Sequence, residues 1–180
     1  QISPLFVSDA RRRAKEHGLG DRVEFIACNA LDLNKAINGR IFDAVILCWS
    51  TIIGYYVDER VDEMILKNIR SVTMDGGYLL ILNTMSLDIL LARMGLAPVN
   101  AIMENIDDEY VLVERPGFDP KRSVLENTWI FYRKKGRDLI YVDQISFSMR
   151  IYALHETIRI VEKAGWAFHE AYRDLTTLRP

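Results

Sequence analysis

One apolar run constrains the fold of this chain more than any other feature. Phe42–Cys48 reads Phe-Asp-Ala-Val-Ile-Leu-Cys, and after Asp43 its apolar residues follow one another without interruption. A half-buried strand alternates apolar and polar residues, so an unbroken run indicates a strand covered on both faces, as in a parallel sheet between helices. The residues Asp75–Gly77 predict a turn into a second run of this kind, Tyr78–Asn83.

The elements around these two runs follow the order of an α/β domain. Ser3 caps and Pro4 begins a first helix, which Gly18 ends. Apolar residues at helical spacing predict a further long helix, Val57–Thr73. The other predicted elements of this half are a strand at Arg22–Cys28 and a helical turn near Asn34–Ile37. The order α-β-(α)-β-α-β predicts a Rossmann-like, doubly wound, mostly parallel sheet.

The pattern changes beyond residue 100. Strands bounded by turn signals now follow one another directly, which predicts an antiparallel β insertion. Its strands are Tyr110–Glu114, Ser123–Lys134 and Asp138–Arg150, separated by turns at 116–120 and 135–137. A helix at Tyr152–Ala164 and a last strand at Trp166–Leu175 follow. We therefore divide the chain into a Rossmann-like core, 1–100 with 150–180, and an insertion, 101–149, that serves as a substrate lid or a dimer interface.

Charge and cysteine content argue against several classes of function. The 23 Lys and Arg residues are balanced by 25 Asp and Glu residues, so the basic excess typical of a nucleic-acid binder is absent. Cys28 and Cys48 have no further Cys or His at ligand spacing, which argues against a metal site, and two isolated thiols suit the reducing cytoplasm. No apolar stretch approaches the roughly 20 residues that span a bilayer, so no membrane partner is expected.

Several short motifs, in a fixed order, carry a family resemblance. They are Arg22–Phe25 before Asn29–Ala30, Phe42–Leu47, Ser50–Tyr55, Asp75–Gly77, Arg150–Glu156 and Ala164–Trp166. Together they resemble class I S-adenosylmethionine-dependent methyltransferases, and the last two motifs resemble a subgroup that acts on small molecules. Each motif alone is loose, but their order covers nearly the whole chain.

The resemblance implies S-adenosylmethionine as the cofactor and places its adenine ring after the Arg22–Cys28 strand. Asn29 would accept a hydrogen bond from the adenine amino group. Ala30 follows as the small apolar residue, and Leu31 would pack on the ring. The alternative, a plain loop turn at Asn29, stays open.

The resemblance also places the methionine end and the ribose of the cofactor. Cys48, Trp49 and Ser50 would border the methionine part, where an aromatic face stabilises the cationic sulfur. The alternative for the aromatic residue is packing beneath the next helix. The acidic ribose-binding residue of the family aligns with Gln1, which binds a hydroxyl less strongly than a carboxylate does.

On the acceptor side, the resemblance implies that Tyr55, Arg150 and Tyr152 face a small-molecule substrate. Arg150 would pair with a carboxylate or phosphate of the acceptor. The alternative, which we favour, is an ion pair with Glu156 inside the chain. His155 and Tyr152 are the candidates for a catalytic group, although methyl transfer chiefly requires alignment of the reacting atoms.

Two parts of the family's fold fall outside the sequence. Its glycine-rich turn would precede Gln1 and its closing strand would follow Pro180, so we expect a truncated sheet. The strand at Arg22–Cys28 would then pair directly with Phe42–Cys48, and the last strand would lie beside Tyr78–Asn83. A swapped dimer that supplies the strands is the alternative.

Three functions are compatible with the sequence. The first is a methyltransferase domain, here a fragment, that methylates a small-molecule acceptor. The second is a catalytically inactive relative that binds a ligand or forms oligomers, which Gln1 and the missing glycine-rich turn support. The third, a nucleotide-dependent oxidoreductase, also needs a glycine-rich turn and fits Ser50–Tyr56 and Arg150–Tyr152 less well. Besides the acceptor, the partner that we consider is a second copy of the chain in a homodimer.

Overall fold

The computed structural model describes residues 3–48, 52–82, 86–87, 90 and 101–172. The helices in these ranges are α1 (Pro4–Glu16), α2 (Leu33–Ile37), α3 (Glu59–Ser71) and α4 (Leu154–Lys163), with a 3-10 turn at Ala30–Asp32. The strands are β1 (Phe42–Cys48), β2 (Thr73–Leu82), β3 (Ile102–Asn105), β4 (Tyr110–Asp119), β5 (Val124–Lys135) and β6 (Asp138–Arg150). None of the helices in these ranges has the length and apolar character needed to cross a membrane.

The two predicted apolar runs form a parallel pair. β1 and β2 lie side by side, with Ala44–Cys48 opposite Tyr78–Leu82. The residues Asp75–Gly77, predicted as a turn, lie within β2, and a register shift between Phe42 and Ala44 takes up the extra residues there. The core against this pair is formed by buried side chains of β1, α3 and α4, namely Leu47, Ile65, Leu66, Ile69, Ile160 and Val161. A parallel pair packed on helices is the α/β arrangement that the sequence predicts.

Only one face of this pair is covered by the described residues. Leu47 and Leu79 pack on the core, whereas Ile46, Tyr78 and Leu80 are 57%, 68% and 47% exposed. The expectation of two covered faces is therefore wrong for these ranges, because α3 and α4 both contribute to the core on the same face.

The predicted strand at Arg22–Cys28 belongs to no ladder of the described structure. A strand needs a neighbour for its backbone groups, and here the guanidinium of Arg11 donates to Phe25 O at 2.6 Å instead. The expected pairing of this segment with β1 is wrong, since the sheet that holds β1 consists, in the described residues, of β1 and β2 alone and leaves the other edge of β1 without a strand. Residues 166–172 of the predicted last strand also join no ladder, so its expected place beside β2 is wrong. Residues 173–175 lie outside the described ranges.

Strands β3 to β6 form a separate antiparallel sheet in the order β3-β4-β5-β6. β4 is longer than predicted, because the residues 116–119 stay paired with β5 and the chain turns only after them. Asp119 Oδ1 accepts a hydrogen bond from Lys121 N at 2.9 Å, which stabilises this later turn. A second core links this sheet to other segments through Leu90, Leu125, Met149 and Ile151.

Candidate functional site

Two loops come together near the carboxyl end of β1. Asn29 begins the 3-10 turn, and its Oδ1 accepts a hydrogen bond from Leu31 N at 3.0 Å. The same oxygen accepts a hydrogen bond from the Tyr56 hydroxyl at 3.0 Å. Because Tyr56 belongs to the segment 52–57 between β1 and α3, one side-chain contact joins the two loops. The loop-turn role of Asn29 is thus observed, and its role in adenine binding stays a prediction.

Helix α3 supports the turn at Ala30 and Leu31. Asn68 Nδ2 donates to Leu31 O at 3.0 Å and to Ala30 O at 3.5 Å. Both residues are half-buried and pack against the core beside β1. The segment that the resemblance assigns to adenine is therefore a defined turn, held by hydrogen bonds to its backbone.

The segment 52–57 is fixed to the end of β6 at Gly54. The N–H of Gly54 donates to both carboxylate oxygens of Asp62 at 3.0 Å. Its carbonyl accepts a hydrogen bond from Arg150 N at 2.8 Å. Gly54 has a φ of +92°, and a Cβ built on it would lie 2.2 Å from Arg150 O. This position requires glycine because the two backbones touch there.

A buried carboxylate holds this junction together. Asp62, in the first turn of α3, is 0% exposed and accepts a hydrogen bond from the Tyr152 hydroxyl at 2.7 Å. Burial raises the pKa of Asp62, and the hydrogen bonds from Tyr152 and Gly54 offset part of that effect. Burial, together with the hydrogen bond to Asp62, also raises the pKa of Tyr152. Tyr152 therefore stays protonated at neutral pH and donates to Asp62.

Arg150 pairs with a partner inside the chain. Its Nη2 lies 2.6 Å from Glu156 Oε1, and its guanidinium carbon lies 4.5 Å from the centroid of the Tyr152 ring. Glu156 Oε2 also accepts a hydrogen bond from Ala153 N at 2.9 Å. Burial opposes the ionisation of Glu156, but the hydrogen bonds from Ala153 and Arg150 outweigh it and hold its pKa below the usual value. The ion pair that we favoured for Arg150 is confirmed, and its contact with an acceptor stays a prediction.

Three further predicted site residues lie at the surface of the described structure. Cys48 is exposed at the end of β1, Tyr55 is 46% exposed, and His155 is exposed in the first turn of α4. The candidates beyond the described ranges are Gln1, Trp49 and Ser50. The roles of all six stay predictions. Among the described residues, no three His, Cys, Asp or Glu side chains gather as a metal site requires.

The central group of the network, Asp62, was missed by sequence reasoning. A signal was present, since Asp62 lies on one helical stripe with Ile65, Leu66 and Ile69, which are the other buried residues of α3. A carboxylate in such a stripe is costly to bury unless it is hydrogen-bonded. Its position therefore calls for donors from another segment, and these are Gly54 and Tyr152.

Comparison with solved structures identifies methyltransferases as the structural neighbours. An S-adenosylmethionine-dependent methyltransferase from Clostridium acetobutylicum superposes with a TM-score of 0.77 and 16% identity, covering 100% of this chain and 68% of that one. The CcbJ methyltransferase from Streptomyces caelestis gives 0.77 and 17%, with 99% and 67% covered. CalS10 from Micromonospora echinaspora, an amino pentose methyltransferase with bound SAM, gives 0.67 and 14%, with 99% and 69% covered. No family model and no curated protein matches the sequence.

At these identities the likeness is one of fold. The chain spans about two thirds of the length of these structures, and nearly all of the chain is matched, so the antiparallel sheet is part of the likeness as well as the parallel pair. This confirms the predicted Rossmann-like α/β class with an antiparallel insertion. The chain has the fold of the class I S-adenosylmethionine-dependent methyltransferases.

Proposed function

We propose that this chain is part of an S-adenosylmethionine-dependent methyltransferase that acts on a small molecule. The observation that carries the proposal is the hydrogen bond from Tyr56 to Asn29, which joins two loops that the resemblance assigns to the donor. Two structural neighbours support the acceptor class, since KedS8 from a Streptoalloteichus species is a sugar N-methyltransferase and CalS10 is an amino pentose methyltransferase.

The residues near the end of β1 suit this donor. Asn29 Oδ1 already accepts hydrogen bonds from Leu31 N and the Tyr56 hydroxyl, so it would bind the adenine amino group in place of that hydroxyl. Leu31 offers apolar surface for the ring. Bound S-adenosylmethionine would supply a methyl group activated by a positively charged sulfur. Tyr55 and Tyr56 are both partly exposed and offer aromatic faces to a cation. The remaining residues that we assign to the donor are Gln1, Ala30, Cys48, Trp49 and Ser50.

The protein's part in the reaction is chiefly positioning. Methyl transfer needs the nucleophile, the methyl carbon and the sulfur in line, in a site that excludes water. The junction at Gly54 fixes the segment 52–57, which borders the donor in this proposal. The raised pKa of Tyr152 makes it a hydrogen-bond donor rather than a base at neutral pH. His155 is then the candidate for the group that accepts a proton from the acceptor.

Calorimetric titration with S-adenosylhomocysteine tests the donor site, and we expect micromolar binding. Asn29→Asp keeps an N-cap residue at this position and replaces the amide oxygen that accepts the hydrogen bond with a charged carboxylate. We therefore expect about three- to tenfold tighter binding of S-adenosylhomocysteine. The matched control is Asn34→Asp, which adds the same charge on the exposed side of α2 and should leave affinity unchanged.

Two outcomes would contradict this assignment. Equal effects of the two substitutions would show that adenine does not lie at Asn29. An absence of binding by folded wild-type chain would remove the donor site and favour the alternative, an inactive module that binds another ligand or forms oligomers.

A further inference from the structure

One face of the antiparallel sheet carries a polar cluster that the donor site does not use. Glu114 on β4 lies opposite Trp129 on β5, and Asn127 on β5 lies opposite Phe147 on β6. We refer to these four residues as the Glu114 cluster. By strand alternation they share the face of Leu125, which packs in the second core. The cluster therefore lies on the side of the sheet that is turned toward other segments.

The hydrogen bonds within the cluster do not use all of its oxygen acceptors. Asn127 Nδ2 and Trp129 Nε1 both donate to Glu114 Oε2, at 2.9 and 3.2 Å. Asn127 is 6% exposed, and its Oδ1 is buried and has no hydrogen-bond partner among the described residues. The ion pairs formed between described residues do not include Glu114. A buried oxygen without a donor and a half-buried carboxylate without a cation both call for a partner.

The surroundings restrict what that partner is. The rings of Trp129 and Phe147 meet edge to face, with centroids 5.1 Å apart, and both residues are half-buried. Trp129 Nε1 and one N–H of Asn127 Nδ2 already donate to Glu114 Oε2, whereas Asn127 Oδ1 is an open acceptor beside the Glu114 carboxylate. A carboxylate, an amide oxygen and aromatic walls together complement a positively charged group that carries N–H donors.

We propose that the Glu114 cluster binds a protonated amine of the small-molecule acceptor. This inference rests on the proposed function. Asn127 and Trp129 lie three and five residues along β5 from Val124, which is paired with Arg150 beside Gly54. At strand spacing the amine is therefore held about 10–17 Å from that junction. A protonated amine has no lone pair, so this group anchors the acceptor and is not the atom that receives the methyl group.

The test uses cyclohexylamine, which is protonated at neutral pH like other alkyl amines, and cyclohexanol as its neutral counterpart. Binding is followed by the chemical shift of the Trp129 indole N–H in NMR spectra. This signal is assigned by its absence from the spectrum of Trp129→Phe. We expect saturable shifts with the amine and at least tenfold weaker binding of the alcohol. Glu114→Gln should weaken amine binding at least tenfold. Glu126→Gln is the matched control, because Glu126 is exposed on the opposite face of the same sheet, on the neighbouring strand β5.

A second variant keeps the proposal testable if Glu114→Gln perturbs folding. Asn127→Leu removes the buried oxygen that lacks a partner and also one of the two hydrogen bonds to Glu114 Oε2. These two effects on stability oppose each other, so we expect the melting temperature to change little while amine binding weakens. Equal binding of amine and alcohol, equal effects of Glu114→Gln and Glu126→Gln, or full binding by Asn127→Leu would each overturn the inference.

Titration with S-adenosylhomocysteine separates this inference from the proposed function. Glu114→Gln should bind S-adenosylhomocysteine as the wild type does. Wild-type chain that binds S-adenosylhomocysteine but not the amine would overturn the inference alone. Chain that binds the amine but not S-adenosylhomocysteine would overturn the proposed function and leave the cluster as an amine site.

Discussion

Replacing Gly54 with alanine tests whether the segment 52–57 is fixed by its contact with the end of β6. The backbone of Gly54 has a φ of +92°, which costs an L residue about 1–2 kcal/mol. The new Cβ would also lie 2.2 Å from Arg150 O and 3.2 Å from Met149 Cγ. A carbon–oxygen contact needs about 3.3 Å, so the two backbones must separate by roughly 1 Å.

This separation breaks the hydrogen bonds of the junction. Arg150 N donates to Gly54 O at 2.8 Å, and Gly54 N donates to the buried Asp62. A buried polar group that loses its partner costs about 1–3 kcal/mol. Together with the strain at φ, we expect Gly54→Ala to lower the free energy of unfolding by about 2–5 kcal/mol.

Gly136 provides a matched control. It also has a positive φ, +62°, but a Cβ built there meets nothing within 4 Å. Gly136→Ala should therefore show only the backbone strain, about 1–2 kcal/mol. We expect urea unfolding to separate the two variants by about 1–3 kcal/mol, or about 2–12 °C in melting temperature for a chain of this size. S-adenosylhomocysteine affinity should fall for Gly54→Ala alone. Equal destabilisation of the two variants would refute the contact argument.

Two further changes test the ion pair and the edge strand. The pKa of Glu156 lies below its usual 4.5, so its contribution to stability is complete above about pH 4.5 and is lost as the pH falls through the lowered value. Glu156→Gln should cost about 1–3 kcal/mol at pH 7 and flatten the acid limb of a stability–pH curve, and an unchanged limb would contradict this. β6 has one described neighbour and exposes apolar side chains, among them Ile140, so we expect two chains to pair along it. Ile140→Lys should shift the chain from dimer to monomer in sedimentation, and a monomeric wild type would contradict the interface.

The sequence predicts those helices and strands whose ends are specified by residues next to them in the chain. Ser3 Oγ accepts the N–H of Phe6 at 3.4 Å, and α1 begins at Pro4, as the capping residues predict. β6 spans Asp138–Arg150 as expected, since its turn signal lies directly before it. Arg22–Cys28 shows the limit of such reasoning. Its composition is compatible with a strand, but a strand also requires a paired neighbour, and no property of the segment itself shows whether one is present.

The site depends on contacts between residues far apart in the chain. The hydrogen bond from Tyr152 to Asp62 spans 90 residues, and no local pattern specifies which donor meets a buried carboxylate. The Arg-x-Tyr motif at 150–152 offers two donors, of which the arginine pairs with Glu156 and the tyrosine donates to Asp62. The resemblance assigns this motif to the acceptor, but the contacts observed in the structure are structural ones. They join the antiparallel sheet to the segment 52–57. Loss of activity in a Tyr152 variant therefore has to be compared with its loss of stability before it is assigned to an acceptor contact.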